Sequence, residues 1–263
     1  MLIAPRRRVA SSYDTDAQNY ITAVEAADGQ ALETAVKDAI NAFVVGCKAD
    51  GIWSAIKASC ILAGARTLTG ALVPLVGSAP TNNGFVSGDY NRETGLVGNG
   101  SSKYLDSGRA NNADPQNSQH LACWISAKTT STFGCYMGDG TAGQPGTSYF
   151  YQYDGTQVPS ASHSTELGGS STRNPNANTL FGINRSSASS YTTLSNGSTL
   201  TVAVNSSTST TGNIHIFGLN NASGGTIRAN ARISFYSIGE SLTLTSLDTR
   251  TTTLMSALAA AIP

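Results

Sequence analysis

Apolar and polar positions alternate in short runs through most of the second half of this chain, and recur at helical spacing near both ends. Thr94–Leu105 and His120–Ile125 read as strands, and so do Gly212–Leu219 and Ala229–Gly239, each set off by Gly, Asn and Ser turns. The full strand set predicted is 95–98, 103–106, 120–127, 133–138, 148–154, 179–184, 191–195, 200–205, 213–219 and 230–238. Ahead of it, Asp14 or Asp16 caps a helix through Ala27 with Ile21, Val24 and Ala27 on one face, and Asp28-Gly29 stops it. Leu32, Val36, Ile40, Phe43, Val44 and Cys47 mark a second helix, stopped by Asp50-Gly51. A third is predicted from Ile52 or Trp53 to about Ala63, with Ile56, Cys60 and Ile61 apolar. Near the end, Thr245-Ser-Leu-Asp248 has the pattern of a helix cap, followed by a stripe of Leu247, Leu254, Leu258 and Ile262.

These periods divide the chain into an extended arm (1–13), a helical module (14–63), an irregular connector (64–93), a β-sandwich (94–242) and a terminal helix (243–263). The connector carries Leu68, Leu72, Val73, Leu75 and Val76, too apolar for a free linker, while Pro74, Pro80 and Gly84 forbid a long helix. Three short helices bury little area alone, so the module is expected to pack on the sandwich or on another subunit. Fragment 94–263 is expected to fold by itself and 1–63 is not.

Composition narrows the function. Only 12% of the 263 residues are charged, about half the usual share, and 16 basic residues balance 16 acidic ones. Such a chain relies on Ser, Thr and Asn hydration for solubility, or lives inside an assembly. No basic excess points to a dedicated nucleic-acid binder. No run approaches the roughly 20 apolar residues of a membrane span, and Met1–Arg8 lacks the apolar stretch of a secretory leader. Arg6, Arg7 and Arg8 form either a solvated tail or an assembly arm that docks on an acidic neighbouring subunit. Cys47, Cys60, Cys123 and Cys135 have no metal-ligand spacing and read as buried thiols; Cys123 and Cys135 are the pair placed to be cross-strand neighbours.

Little catalytic chemistry is written in the chain. The main acids of the sandwich half are Asp106, Asp114, Asp139, Asp154, Glu166 and Glu240, and no two are spaced i, i+2 as paired glycosidase carboxylates on one strand would be. His120, His163 and His215 lack metal spacing; His120 and His215 fall in strands and read as structural. Gly138-Asp-Gly-Thr-Ala-Gly143 reads as a hairpin turn, not a phosphate loop. Asp139 and Asp154 with glycine-loop carbonyls would suit calcium, but Asp-Gly is an ordinary turn pair, so no metal or cofactor is assigned. A glycan needs an aromatic platform beside amides and carboxylates. Alternation puts Tyr149, Tyr151 and Tyr153 on one face, either an outward surface for a glycan or protein partner, or core. The polar loops 107–119 and 155–178 are the other candidate binding regions.

Gly98-Asn-Gly-Ser-Ser-Lys-Tyr-Leu105 followed by His120–Ile125 resembles the opening of concanavalin-A-like (laminin-G-like) jelly rolls, and Ile233–Leu242 with its following helix is similar to their closing strand and exit helix. Asp28-Gly29 and Ala49–Ile56 look like modules that precede such jelly rolls in bacteriophage virion proteins. The resemblance implies a mainly β, jelly-roll sandwich with a small helical lead-in, in a non-enzymatic virion structural protein. Its N-terminal part would anchor it to other virion subunits, and the sandwich would be displayed outward as a head decoration or a tail or fibre component. A homo-oligomer assembled in the host cytoplasm follows from that reading, with no membrane and no specific nucleic-acid partner. The alternative is a tail adhesin that recognises a host glycan.

Overall fold

The computed structural model describes residues 13–165, 171–221 and 227–262. Arg6, Arg7, Arg8 and Glu166 lie outside the described residues. The first half runs α1 (Thr15–Asp28), α2 (Thr34–Ala49), a 3-10 turn at Trp53–Ala55, β1 (Ile56–Ile61), α3 (Leu68–Ala71), β2 (Thr81–Asn83), β3 (Tyr90–Asn91), β4 (Gly95–Val97), β5 (Tyr104–Ala110) and β6 (Gln119–Ala127). Then follow β7 (Gly134–Asp139), β8 (Thr147–Gln152), β9 (Ser160–Ser164), β10 (Thr179–Arg185), β11 (Ser190–Ser195) and β12 (Ser198–Ala203). The chain closes with β13 (Asn213–Ile216), β14 (Gly218–Asn220), β15 (Ile227–Arg228), β16 (Arg232–Gly239) and α4 (Leu244–Ala261).

Two sheets make the expected jelly-roll sandwich. One has the order β12-β11-β10-β6-β16-β4-β3, with β1 also on β16; the other has the order β15-β14-β7-β13-β5-β2, with β8 on β7 and β9 on β8. Leu121, Cys123 and Ile125 of β6 point into the core between the sheets, together with Ile233, Tyr236 and Ile238 of β16 and Ile214 and Ile216 of β13. Ala122 and Trp124 of β6 point the other way, into a second core with Phe235 of β16 and the buried faces of α1, α2 and α4. The first sheet is therefore buried on both sides. That is why β6 is an unbroken apolar run instead of an alternating one. Phe43 of α2 meets Phe235 edge-on at 5.6 Å, the aromatic contact that seats the helical layer.

Each of the ten strands expected from alternation is present within a few residues. The third helix is not. Residues 56–61 pair antiparallel with β16, Cys60 opposite Tyr236 and Ser59 opposite Ser237. Apolar residues at 56, 60 and 61 suit a helix face, and they equally suit a strand covered on both faces; the unfilled edge of β16 decides the matter by satisfying the backbone. β9 and the short β2, β3 and β15 carry no alternation signal, and the connector contributes β2 and β3 between irregular stretches. The helical module packs on its own sandwich: Arg250 of α4 forks onto Asp50 at 2.7 and 2.8 Å, and Arg92 forks onto Glu33 at 2.8 and 3.2 Å. The Asp28 carboxylate accepts from the backbone N–H groups of Arg66 and Thr67, tying the end of α1 to the connector. All four cysteines are buried and unpaired. Cys123 lies in the inter-sheet core and Cys135 in a separate cluster, so they are not cross-strand partners.

His120 is a core histidine. Its Nδ1 faces the Glu240 carbonyl at 2.6 Å and its Nε2 faces the Ser237 hydroxyl at 2.8 Å. A neutral ring donating from Nδ1 and accepting at Nε2 satisfies both.

Two outcomes are expected from this packing. Fragment 94–263 lacks β1 and the α1–α2 layer and leaves Trp124, Leu180 and Phe235 uncovered; contrary to the expectation from sequence, it should fail to give dispersed NMR signals or a cooperative melt. Second, burial holds the His120 pKa down, to about 4. Below about pH 6.5 the unfolded chain takes a proton that the native state refuses, so stability is lost as pH falls from about 6.5 toward 4. Urea unfolding should show about 2 kcal/mol lost from this residue between pH 7 and pH 5, and the His120 ring signals should not titrate above pH 5.

Candidate functional site

The strand bearing the three tyrosines turns out to be covered. Phe150 points into the inter-sheet core, and Tyr149 and Tyr151 point to the opposite face of β8, as alternation requires. There they are buried with Cys135, Ala161 and Leu219, with Ile227 packed against them. Leu219 and Ile227 belong to the paired β14 and β15, so side chains from elsewhere in the chain cover the tyrosine face. Only Tyr153, 48% exposed, and Phe133, 53% exposed, remain on the surface, edge to face at 5.2 Å. Tyr149 and Tyr151 are thus core and not a wet binding surface.

The loop flagged as a hairpin turn does join β7 to β8, and its first residue is the notable one. Asp139 ends β7 and is buried, yet it lines a cavity of about 390 Å³ with Gly140, Thr141, Gln144, Thr210 and Asn220. Its carboxylate accepts from the Thr210 hydroxyl. Burial pushes its pKa up, opposed by the Thr210 hydroxyl and by the Gly140 and Gly212 N–H groups. Gly212 has no room for a side chain, since a Cβ there would stand 2.1 Å from Asp139 Oδ1; the close approach of that backbone is what delivers its N–H.

A buried amide relay holds this carboxylate in place. Ser148 donates to Gln119 Oε1 at 2.8 Å, Gln119 Nε2 donates to Asn111 Oδ1 at 2.8 Å, and Asn111 Nδ2 donates to Thr210 Oγ1 at 2.8 Å. Thr210 passes the final hydrogen bond to Asp139. His163 lies against the same loop, its ring nitrogens facing the Gln116 and Asn111 carbonyls at 2.7 and 3.0 Å. Of the long polar loops expected to carry binding, 107–119 is therefore ordered and supports the cavity from behind. A satisfied buried network of this kind fixes geometry tightly.

Other carboxylates are occupied elsewhere. Asp114 pairs with Arg109 and Glu240 with Lys57. Asp154 caps its own turn through Thr156 and Gln157, at the end of the β7–β8 pair away from Asp139, so the two aspartates do not form a calcium pair. Among the described residues no group of three His, Cys, Asp or Glu could hold a metal. A larger hollow of about 500 Å³ lies between α1 and the start of β1, but its charged groups are paired: Asp16 with Lys48 and the Trp53 indole, Lys57 with Glu240. The Asp139 cavity alone joins a concave surface to a carboxylate of raised pKa among these described hollows. Sequence reasoning missed Thr210, Gly212 and Asn220. The first two sit in or beside the run Asn205–Thr211, where nothing distinguishes one hydroxyl from the next.

No protein-family model and no curated protein matches the chain. Among solved structures it is similar to a mutant Trypanosoma rangeli sialidase displaying trans-sialidase activity, at 11% identity and a TM-score of 0.49, over 84% of this chain and 39% of that one. It is similar to the CBM40 of Ruminococcus gnavus IT-sialidase bound to alpha2,3 sialyllactose, at 14% identity and a TM-score of 0.36, over 50% of this chain and 82% of that one. It also overlaps the botulinum neurotoxin serotype D binding domain, at 9% identity and a TM-score of 0.49, over 74% of this chain and 50% of that one. The chain spans well under two thirds of the sialidase it overlaps. At these identities the likeness assigns neither activity nor ligand.

Proposed function

We propose that this protein is a non-enzymatic, lectin-like binding sandwich that takes a hydroxyl-rich ligand, a glycan, in the Asp139 cavity. The observation that supports it is the Asp139 carboxylate itself: buried, of raised pKa, and aimed into a cavity of monosaccharide-to-disaccharide scale by a fully bonded relay. A carboxylate beside the Asn220 and Gln144 amides and the Thr141 hydroxyl presents the acceptors and donors that sugar hydroxyls need. Hydrolysis would require a second carboxylate at a catalytic separation, and Asp114, Asp154 and Glu240 are each engaged with other groups.

The finer reading, a bacteriophage virion component that displays this sandwich outward on the particle, we propose on the jelly-roll resemblance and the 12% charge. The anchoring would fall to the Arg6–Arg8 arm, since the apolar faces of α1 and α2 are already used within the chain. Electron cryo-microscopy of the particle tests it: density for this chain with its sandwich outward supports it, and absence of the chain from any particle ends it.

Asp139→Asn separates a binding role from a structural one. Because the folded-state pKa of Asp139 is raised, its ionisation weakens the native state as pH rises from about 4 through the folded value. The variant should therefore melt at or above the wild-type temperature at pH 7, with the difference gone near pH 3 (about where the carboxyl is protonated in both states), while glycan binding is lost. A variant that melts lower at pH 7 and binds normally would make Asp139 structural.

A further inference from the structure

Beside the cavity lies a cation with almost nothing to neutralise it. Arg228 on β15 is only 8% exposed. Its hydrogen bonds leave from Nη1 and are long: 3.3 Å to His215 Nδ1 and 3.4 Å to the Leu219 carbonyl. Its Nε is buried with no partner. Among the described residues no carboxylate lies within ion-pair distance of it, whereas Arg66, Arg92, Arg109 and Arg250 each have one. Arg185 is more deeply buried, but four carbonyls of Ser162, Ser187, Ser190 and Val204 hold it at 2.7 to 3.3 Å, which makes it a strut.

The surroundings of Arg228 present the guanidinium and do not quench it. The Tyr104 ring lies 4.0 Å from its central carbon and stacks in turn on His215, at 4.4 Å between centroids. Gly218 leaves the space, because a Cβ there would stand 2.0 Å from Nη1. His215 accepts from Arg228 at Nδ1, so its proton sits on Nε2, turned toward Asp106 at 3.9 Å. Burial and the Arg228 charge hold its pKa down, to about 4, so the ring is neutral and the positive charge of the belt stays on Arg228. Asp106 is tied back by Asn213 Nδ2 at 3.3 Å.

This belt adjoins the cavity through residues next to its lining. Asn213 follows the close-packed Gly212, and its carbonyl accepts from Asn220 Nδ2, a cavity-lining amide, at 2.9 Å. Leu219, whose carbonyl touches Arg228, precedes Asn220. One ligand can therefore meet Asp139 through hydroxyls and Arg228 through a charged group. We infer that the sandwich binds an acidic saccharide, with Arg228 on its Tyr104 platform receiving the carboxylate or sulfate oxyanion. A guanidinium stacked on an aromatic ring and short of partners is the side chain best fitted to such a group. The inference rests on the Asp139 reading and names the ligand class for it.

NMR titration of the full chain tests both together. The probes are the methyl glycosides of glucose, galactose and mannose, their three uronates and their three 6-sulfates. The anionic form of at least one sugar should bind about tenfold tighter than its neutral parent, the scale of one charge-assisted contact; uronate against sulfate then identifies the source of the oxyanion. Arg228→Gln should bring the anionic affinity down to that of the neutral sugar, while Asp139→Asn removes both. Within the wild-type chain, the Arg228 Nε–H signal should shift with the anionic sugar and stay put with the neutral one, which serves even where Arg228→Gln fails to fold. Neutral and anionic sugars bound equally, or an unmoved Arg228 signal, would overturn the acidic ligand and leave the cavity reading standing. Failure of all nine probes to shift any cavity residue would overturn both.

Discussion

Strands β6 and β16 are apolar on both faces, and a sheet built around them must be covered twice. The second sheet covers one side. The other side is closed by α1, α2 and α4 from opposite ends of the chain, brought together over Trp124, Leu180 and Phe235. Burying large side chains on both faces contributes about 1.5–3 kcal/mol each, which no single-sided sandwich of this sequence would recover. The helical lead-in is therefore part of the sandwich core, not an appendage. Its buried apolar faces are used within the chain, and among the described residues the large apolar groups left exposed are Val45, Val86, Phe133 and Tyr153.

Where apolar runs are bounded by Gly, Asn and Ser turns the sequence was easy to read, even in β6 and β16, which are covered on both faces. The ten predicted segments became strands, and Asp14 caps α1 by accepting from Asp16 N–H. Reading failed where the apolar spacing also fitted a helix, or where the buried residues are polar. Ile56–Ile61 lost its alternation because both faces are covered, and it took on helical spacing by accident. β9, Ser-Ala-Ser-His-Ser, is buried along its whole length although four of its five residues are polar; its backbone pairing with β8 and the two ring contacts of His163 hold it there, while the Ser162 and Ser164 hydroxyls have no partner among the described residues, and hydrophobic periodicity cannot report such bonds. Alternation correctly put Tyr149 and Tyr151 on one face. What covers that face, Leu219 and Ile227, comes from some 70 residues downstream, and no local pattern carries it.

The site was half legible for a related reason. Asp139 in an Asp-Gly pair looks like any turn aspartate, and in its role of joining two strands it is one. Its second role arises only when the backbone of Gly212 and the hydroxyl of Thr210 arrive with the segment that leads into β13, the strand beside β7. His120 and His215 were rightly read as structural from their place in strands, but the consequence for Arg228 was hidden, because it needs β13 beside β5 and β15 beside β14 in one sheet.

A chain with so few charges has little reason to bury any, and most of its ionised groups stand at the surface in pairs of small net value. Of the buried ones, Asp114 pairs with Arg109 and Arg185 is held by carbonyls, whereas Asp139 and Arg228 stand in neighbouring places, with opposite sign, and are not paired with each other. Two buried opposite charges that formed one ion pair would be a structural element, and replacing both by apolar groups would cost little. Kept apart, each facing its own polar surround, they leave two unmatched fields on one side of a sandwich. Folding alone does not favour that arrangement, since each group would be more stable hydrated or paired. A ligand that carries hydroxyls at one end and an anion at the other answers both fields at once, and selection for such a ligand would keep Asp139 and Arg228 where stability alone would not.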